Sequence, residues 1–263
     1  EICACLVGSE MCIRDSIFLN QDKGDYAVLN YDDERVRAMA GDMTGTVVYF
    51  STCGEVPEGA FYQDGQLILR LQGRDTVVCA ETDLHLFGKH NIQNCLAAIL
   101  LTYAAGAPLD VIRQVLKDFK GVEHRLEKVR TLHGVTYYND SKGTNVDASM
   151  KALEAFPQGH LILIAGGYDK MTPLDDFMAL VAKRVDTLIL IGDAAERFEA
   201  AAKKAGIQDI RRTGYSMEGA IMLARKIAKA PQAVLLSPAC SSFDMYDNFE
   251  QRGRVFKGIV NAI

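Results

Sequence analysis

The chain has 263 residues, 24% of them charged and 49% hydrophobic, with a formal net charge of −5. This is the composition of a soluble globular protein with room for one large or two ordinary cores. It offers no basic stripe for nucleic acid and no apolar run of the roughly 20 residues that a membrane-spanning helix needs.

Seven cysteines, an odd number without framework spacing, predict reduced thiols in a cytoplasmic protein. Three of them, Cys3, Cys5 and Cys12, lie in residues 1–16, which show no helical or strand periodicity and lack the regions of a signal peptide. No histidine stands nearby to complete a ligand set, so no metal is assigned there. The stretch reads as a non-native leader resembling translated cloning sequence.

Asp25-Tyr26-Ala27-Val28-Leu29-Asn30 reads as a buried strand, with Asp32 or Asp33 as cap of a short helix. Val47 to Phe50 is a second strand. Phe61 to Leu71 reads as a hairpin turning at Asp64-Gly65, a dipeptide that accepts the positive φ angles of a type I′ turn. Val77 to Ala80 is a further strand, and Leu84-His85-Leu86 alternates. From Asn91 the pattern becomes helical, with Ile92, Leu96, Ile99, Leu100 and Tyr103 on one face. A second helix carrying Val111, Ile112, Val115, Leu116 and Phe119 stops at Gly121, where a domain boundary is placed.

Beyond it strand and helix alternate. Strands are expected at Val135–Tyr138, Leu161–Ala165, Thr187–Ile191 and Ala233–Ser237, with a weaker one at Ile210–Thr213. Helices are expected at Pro173–Lys183 with Thr172 as N-cap, and at Met217–Lys229 with Ser216 as N-cap. The class is α/β, with a mostly parallel sheet covered on both faces.

Five polar clusters sit at element ends. Asn91 and Asn94, in Gly88-Lys89-His90-Asn91-Ile92-Gln93-Asn94, share a face in a first helical turn and either meet a nucleotide or cap the helix. His124-Arg125 either clamps phosphate or forms an ion pair. Asn139-Asp140-Ser141-Lys142-Gly143-Thr144-Asn145 follows a strand and is either a site or a solvated turn. Gly166-Gly167-Tyr168-Asp169-Lys170 either lets a ligand approach backbone or simply turns. Ser237 to Asp244, continuing to Asn248-Phe249-Glu250-Gln251-Arg252-Gly253, places hydroxyls where a helix is expected to start, so Ser242 either meets a carboxylate or caps. The last three clusters end strands that are expected to be parallel, so they can converge on one crevice.

Together these motifs resemble the Mur ligase family. The strings at 166–170, 236–244 and 248–253 narrow the resemblance to members that add D-glutamate to UDP-N-acetylmuramoyl-L-alanine, and it runs from Ile17 to the C-terminus. It implies a cytoplasmic, bacterial, monomeric enzyme of peptidoglycan precursor synthesis that forms an amide through an ATP-derived acyl phosphate. Residues 17–121 would be the remnant of a central P-loop-type ATPase domain, and 122–263 a doubly wound, Rossmann-like D-glutamate-binding domain.

By matching motifs, Asn91 and Asn94 would meet the adenine side of ATP, Arg125 its phosphates and Asp140 its ribose. Lys142 and Thr144 would lie near D-glutamate, with Arg125 and Lys142 serving catalysis. Lys170, Ser242 and the backbone of Phe249 would hold the two carboxylates of D-glutamate, and Tyr168 and Phe243 would supply contacts only. The departures are equally specific. There is no Gly-x-x-x-x-Gly-Lys-Ser/Thr. The family's Mg2+ ligands, its modified lysine and its UDP-sugar domain would all precede Ile17, so no metal ligand is assigned and no turnover is expected of this chain alone. The alternatives are a sister ligase, a folylpolyglutamate synthase, or a non-catalytic module that binds D-glutamate or nucleotide. A Rossmann dinucleotide protein is disfavoured, because no Gly-x-Gly-x-x-Gly follows a strand.

Overall fold

The computed structural model describes residues 18–86, 88–156 and 158–263; the leader and its three cysteines lie outside the described residues. The chain divides between Lys120 and Gly121 into two compact units.

The first unit is built on a five-stranded sheet of β1 (Tyr26–Asn30), β2 (Thr46–Ser51), β3 (Gly59–Gln63), β4 (Gln66–Leu71) and β5 (Arg74–Ala80), hydrogen-bonded in that order. The first three strands are parallel, and β3, β4 and β5 form an antiparallel meander. Asp64 and Gly65 both take positive φ at the β3–β4 turn. The short helix α1 (Glu34–Ala38) is capped by Asp33, whose carboxylate accepts from the Arg35 and Val36 N–H groups. Asp32 is used elsewhere, accepting from Ser51 Oγ, Thr52 N–H and Thr52 Oγ1.

Helix α2 (Lys89–Ala104) covers the sheet with Ile92, Cys95, Leu96, Ile99 and Leu100, all buried. Each large side chain so buried contributes about 1.5–3 kcal/mol. In α3 (Leu109–Asp118) only Ile112 is buried; Val111, Val115 and the following Phe119 are exposed, as is Tyr103 of α2. The alternating Leu84-His85-Leu86 forms no strand: a single 3-10 turn at Glu81–Asp83 precedes it.

The second unit has a six-stranded sheet. Its strands are β6 (Glu127–Leu132), β7 (Val135–Asn139), β8 (Leu161–Gly166), β9 (Val185–Ile191), β10 (Ile210–Arg212) and β11 (Ala233–Leu236). The order is β10-β9-β8-β11-β7-β6, all parallel except the edge pair β6–β7. β8 is buried along its whole length, as expected for a parallel strand covered on both faces.

Helices α4 (Val146–Glu154), α5 (Asp175–Arg184) and α6 (Ala195–Lys204) pack successively against one another. Helices α7 (Met217–Ile227) and α8 (Phe249–Ala262) pack together, over Tyr137, Ile162, Ile164, Ile189 and Val234. Ser216 caps α7 by accepting from the Gly219 N–H. Helix α5 begins two residues later than expected, behind Leu174, and Thr172 is not its cap. No helix among the described residues is long and apolar enough to cross a membrane.

Candidate functional site

β11 is inserted between β7 and β8, so the carboxyl ends of these three strands lie side by side, where open α/β sheets bind ligands. β7 carries Asn139 into the core. Its side-chain amide donates to His124 Nδ1 (2.9 Å) and Glu127 Oε2 (3.0 Å), and its oxygen accepts from the Ser141 N–H (3.2 Å). His124 therefore accepts at Nδ1, and its buried Nε2 has no hydrogen-bond partner among the described residues. Burial lowers the His124 pKa against the opposing pull of Glu123 and Glu127.

Asp140 is buried and accepts from Ser237 Oγ (2.7 Å) and the Leu126 N–H (3.2 Å). Burial pushes its carboxyl up to about 6, although those two bonds and the fields of Arg125 and Arg252 pull the other way. The loop then turns at Gly143 and ends at Asn145, which caps α4 by accepting from the Ala148 N–H (2.8 Å).

Sequence reading assigned no role to Arg252, which proves to be the hub. It is 1% exposed. Its Nε donates to Ser141 Oγ (3.0 Å) and Nη2 to the Ser141 carbonyl (2.9 Å), tying α8 to the β7 loop. Nη1 reaches the carbonyls of Cys240 and Ser241, both at 3.1 Å, on the β11 loop. Burial lowers its pKa to about 10, so it stays cationic at neutral pH. The available signal was positional: Arg252 falls on the stripe of α8 that also carries the buried Phe256 and Val260, where an apolar residue is the ordinary choice.

The β8 loop joins the same assembly. Tyr168 pairs with Ser241, its N–H donating to the Ser241 carbonyl (3.0 Å). A Cβ on Gly167, at φ +131°, would stand 2.5 Å from that carbonyl oxygen. The glycine thus serves close approach of a neighbouring backbone rather than of a ligand. Arg197 of α6 then clamps the loop from behind, with two bonds of 2.6 Å to Asp169 and one of 3.0 Å to the Thr172 carbonyl. The bond from Arg197 outweighs burial and holds the Asp169 carboxyl below its usual range.

On this framework Lys142 and Lys170 are exposed, Thr144 and Phe249 half-buried and Ser242 buried. Lys170 donates to the Thr144 carbonyl (3.0 Å), bridging the β8 and β7 loops. The ammonium of Lys142 lies 5.8 Å from the centre of the Phe249 ring, and Ser141 Oγ donates to the Phe249 carbonyl (2.8 Å). Phe249 opens α8, whose N-cap is Asn248. Ser242 is buried in a turn whose carbonyl accepts from Met245 and Tyr246; it stands at no helix start, so neither capping nor a helix-terminal position explains it. Phe243 is 69% exposed, and Arg125 is exposed with its field on Asp140. Lys142, Thr144, Lys170 and Phe249 are therefore brought together. Two ammonium groups and a helix N-terminus at one sheet edge suit a carboxylate-bearing ligand.

In the first unit, Asn91 is buried and Asn94 exposed, with an Asn94–Asn91 amide contact of 3.4 Å. Neither caps α2, because Gly88 is its N-cap and no side chain accepts there. Close by, Thr52, Tyr62, Glu81, Lys89 and Ile92 line a pocket of about 320 Å³. Tyr62 donates to Glu81, and Lys89 contacts the Cys53 sulfur at 3.2 Å. Among the described residues no group of three or more His, Cys, Asp or Glu side chains is placed to hold a metal ion.

Comparison with known proteins adds the following. Residues 124–240 match the Mur ligase glutamate ligase domain, and residues 13–102 the Mur ligase middle domain. The UDP-N-acetylmuramoylalanine--D-glutamate ligase of Symbiobacterium thermophilum is 44% identical over 253 residues, and that of Desulfitobacterium hafniense 45% over 250. Each alignment covers 95% of this chain and 55% of the relative, so the chain spans about half the length of the curated relatives it matches. MurF from Acinetobacter baumannii shares the fold with a TM-score of 0.64 at 18% identity, over 92% of this chain and 53% of that one. A Mycobacterium tuberculosis folylpolyglutamate synthase does so with a TM-score of 0.61 at 15% identity, over 85% and 52%.

Proposed function

The chain belongs to the Mur ligase family, and from that premise we propose that it supplies the D-glutamate-binding unit and part of the ATP-binding unit of a ligase. That ligase joins D-glutamate to UDP-N-acetylmuramoyl-L-alanine at the expense of ATP, in the bacterial cytoplasm. What supports the reading most is the bond from Lys170 to the Thr144 carbonyl, which sets one exposed ammonium against the loop that carries the other, Lys142.

In this reading Lys170, Ser242 and the first N–H of α8, at Phe249, hold the carboxylates of D-glutamate and so orient its amine. Fixing an amine against an acyl phosphate removes the entropic part of a bimolecular barrier. Lys142 and Arg125 stabilise negative charge that develops on the phosphoryl and carbonyl oxygens. Asp140 binds the nucleotide ribose through the ionised form, which its partners Ser237 and Leu126 stabilise. Asn91 and Asn94 serve the adenine. Mg2+, which neutralises phosphate charge in such chemistry, finds no fitting set among the described residues, and no step here runs through it.

Titration calorimetry of the purified chain tests this directly. D-glutamate is expected to bind saturably, with affinity falling at least about tenfold in Lys170→Ala. Equal binding of L-alanine or meso-diaminopimelate would assign the pocket to a different ligase.

A further inference from the structure

The other end of β7 holds a second pocket. It measures about 350 Å³ and is lined by Arg130, Leu132, Val135, Tyr137, Arg225 and Ile263, with His133 and Ala228 at its margin. Arg130 and Tyr137 are cross-strand partners on the β6–β7 hairpin, so both side chains project from the same face, and Leu132 pairs with Val135 beside them. Arg225 enters from the last turn of α7.

Tyr137 is only 1% exposed, yet its phenol has no hydrogen-bond partner among the described residues. Its oxygen is not among the sealed, unsatisfied atoms, so it is open to a partner from the pocket that Tyr137 lines. Arg225 likewise has no hydrogen bond or ion pair among the described residues. Arg130 uses a single nitrogen, Nη1, on the backbone oxygens of Val260, Asn261 and Ile263, leaving Nε and Nη2 uncommitted. The carbonyl ends of α7 and α8 oppose an anion here with about half a charge each. Arg130 Nη1 already meets the Ile263 oxygen at the end of this chain, which leaves Arg225 as the uncommitted guanidinium, and no carboxylate side chain lines the pocket.

We propose that this pocket binds a small organic oxyanion, its phosphate or carboxylate head between Arg130, Arg225 and the Tyr137 hydroxyl and its apolar part against Leu132, Val135 and Ile263. Planar guanidinium groups match either head bidentately, and the pocket is larger than an inorganic oxyanion requires. The site stands at the end of β7 away from the D-glutamate loops, so it is independent of the function proposed above.

Calorimetry at fixed ionic strength, with phenyl phosphate, benzoate and inorganic phosphate as probes, tests it. At least one aryl oxyanion is expected to bind saturably and more tightly than inorganic phosphate, and to lose affinity roughly tenfold in Arg225→Ala and severalfold in Tyr137→Phe. Phenyl phosphate ahead of benzoate identifies a phosphate ligand, and the reverse order a carboxylate. Absence of saturable binding by every probe, or binding unchanged in Arg225→Ala, overturns the proposal. Arg225 is exposed, so that variant stays folded whether or not Tyr137→Phe does.

Discussion

The two ends of β7 carry their polar groups differently, one sealed inside the protein and the other on a pocket wall. At the carboxyl end a cation, a carboxylate, an amide and three serine hydroxyls leave water together and bond to one another, while the buried His124 Nε2 and Asp244 Oδ1 beside them find no hydrogen-bond partner among the described residues. At the other end the Tyr137 hydroxyl and the exposed Arg225 guanidinium find no protein partner among the described residues, and neither is sealed from water. A satisfied buried network of this kind is rigid and costly to break, whereas groups left on a wetted pocket wall keep their binding capacity for something else. Rigidity is what a set of loops must have if it is to aim Lys142 and Lys170.

The contrast is breakable at several points. Arg252→Leu should be the most damaging change. It strips donors from the Ser141, Cys240 and Ser241 oxygens at once, and about 3–5 kcal/mol should disappear from the urea unfolding of the second unit. Arg252→Lys keeps the charge but loses the fork, and should recover less than half of that.

Next comes Asp140, whose folded pKa of about 6 lies above its ordinary 3.8. The folded state therefore holds an extra proton between those values. The resulting stabilisation is complete below about pH 4 and is lost as pH rises through 6, on the order of 2–3 kcal/mol in total. Asp140→Asn should abolish that slope; a wild-type stability flat from pH 4 to 7 would contradict it.

Gly253→Ala would place a Cβ 2.2 Å from His124 Nδ1, displacing the ring that Asn139 holds, at a cost of about 2 kcal/mol by thermal denaturation. Lys170→Ala should cost D-glutamate affinity but leave stability within about 0.5 kcal/mol, since the side chain is exposed. Smallest of all is Arg225→Ala at the opposite end, expected within about 0.5 kcal/mol of wild type although it removes the same charge as Arg252→Leu.

How much of this was legible in the sequence follows the range of the interactions. The parallel strands were read from continuous apolar runs, because a strand covered on both faces leaves no other pattern. Ser216 was read as a cap, and the cap of α1 was narrowed to Asp32 or Asp33, of which Asp33 serves, because capping acts over three residues. β6 went unread: Glu127, Lys128 and Arg130 make it polar, as befits an edge, and a register shift between Lys128 and Arg130 spoils its alternation. Thr172-Pro173 carries the signature of a helix start, but Arg197 holds the Thr172 carbonyl and delays the helix to Asp175. The roll of exposed site groups came from motifs. The Arg252 hub joins residues 111 positions apart, a relation that no local pattern encodes.

The placement of β11 also governs how the second unit comes into being. β6–β7 and β8–β10 are two separate sheet fragments until Ala233–Leu236 slides between them. During synthesis the β7 edge therefore stays open while residues 140–232 are added, about 93 of them, and the β8 edge while residues 167–232 are added, about 66. Because its closing strand is nearly the last to be made, this unit folds late and through distant contacts, and it is most prone to aggregate just before completion.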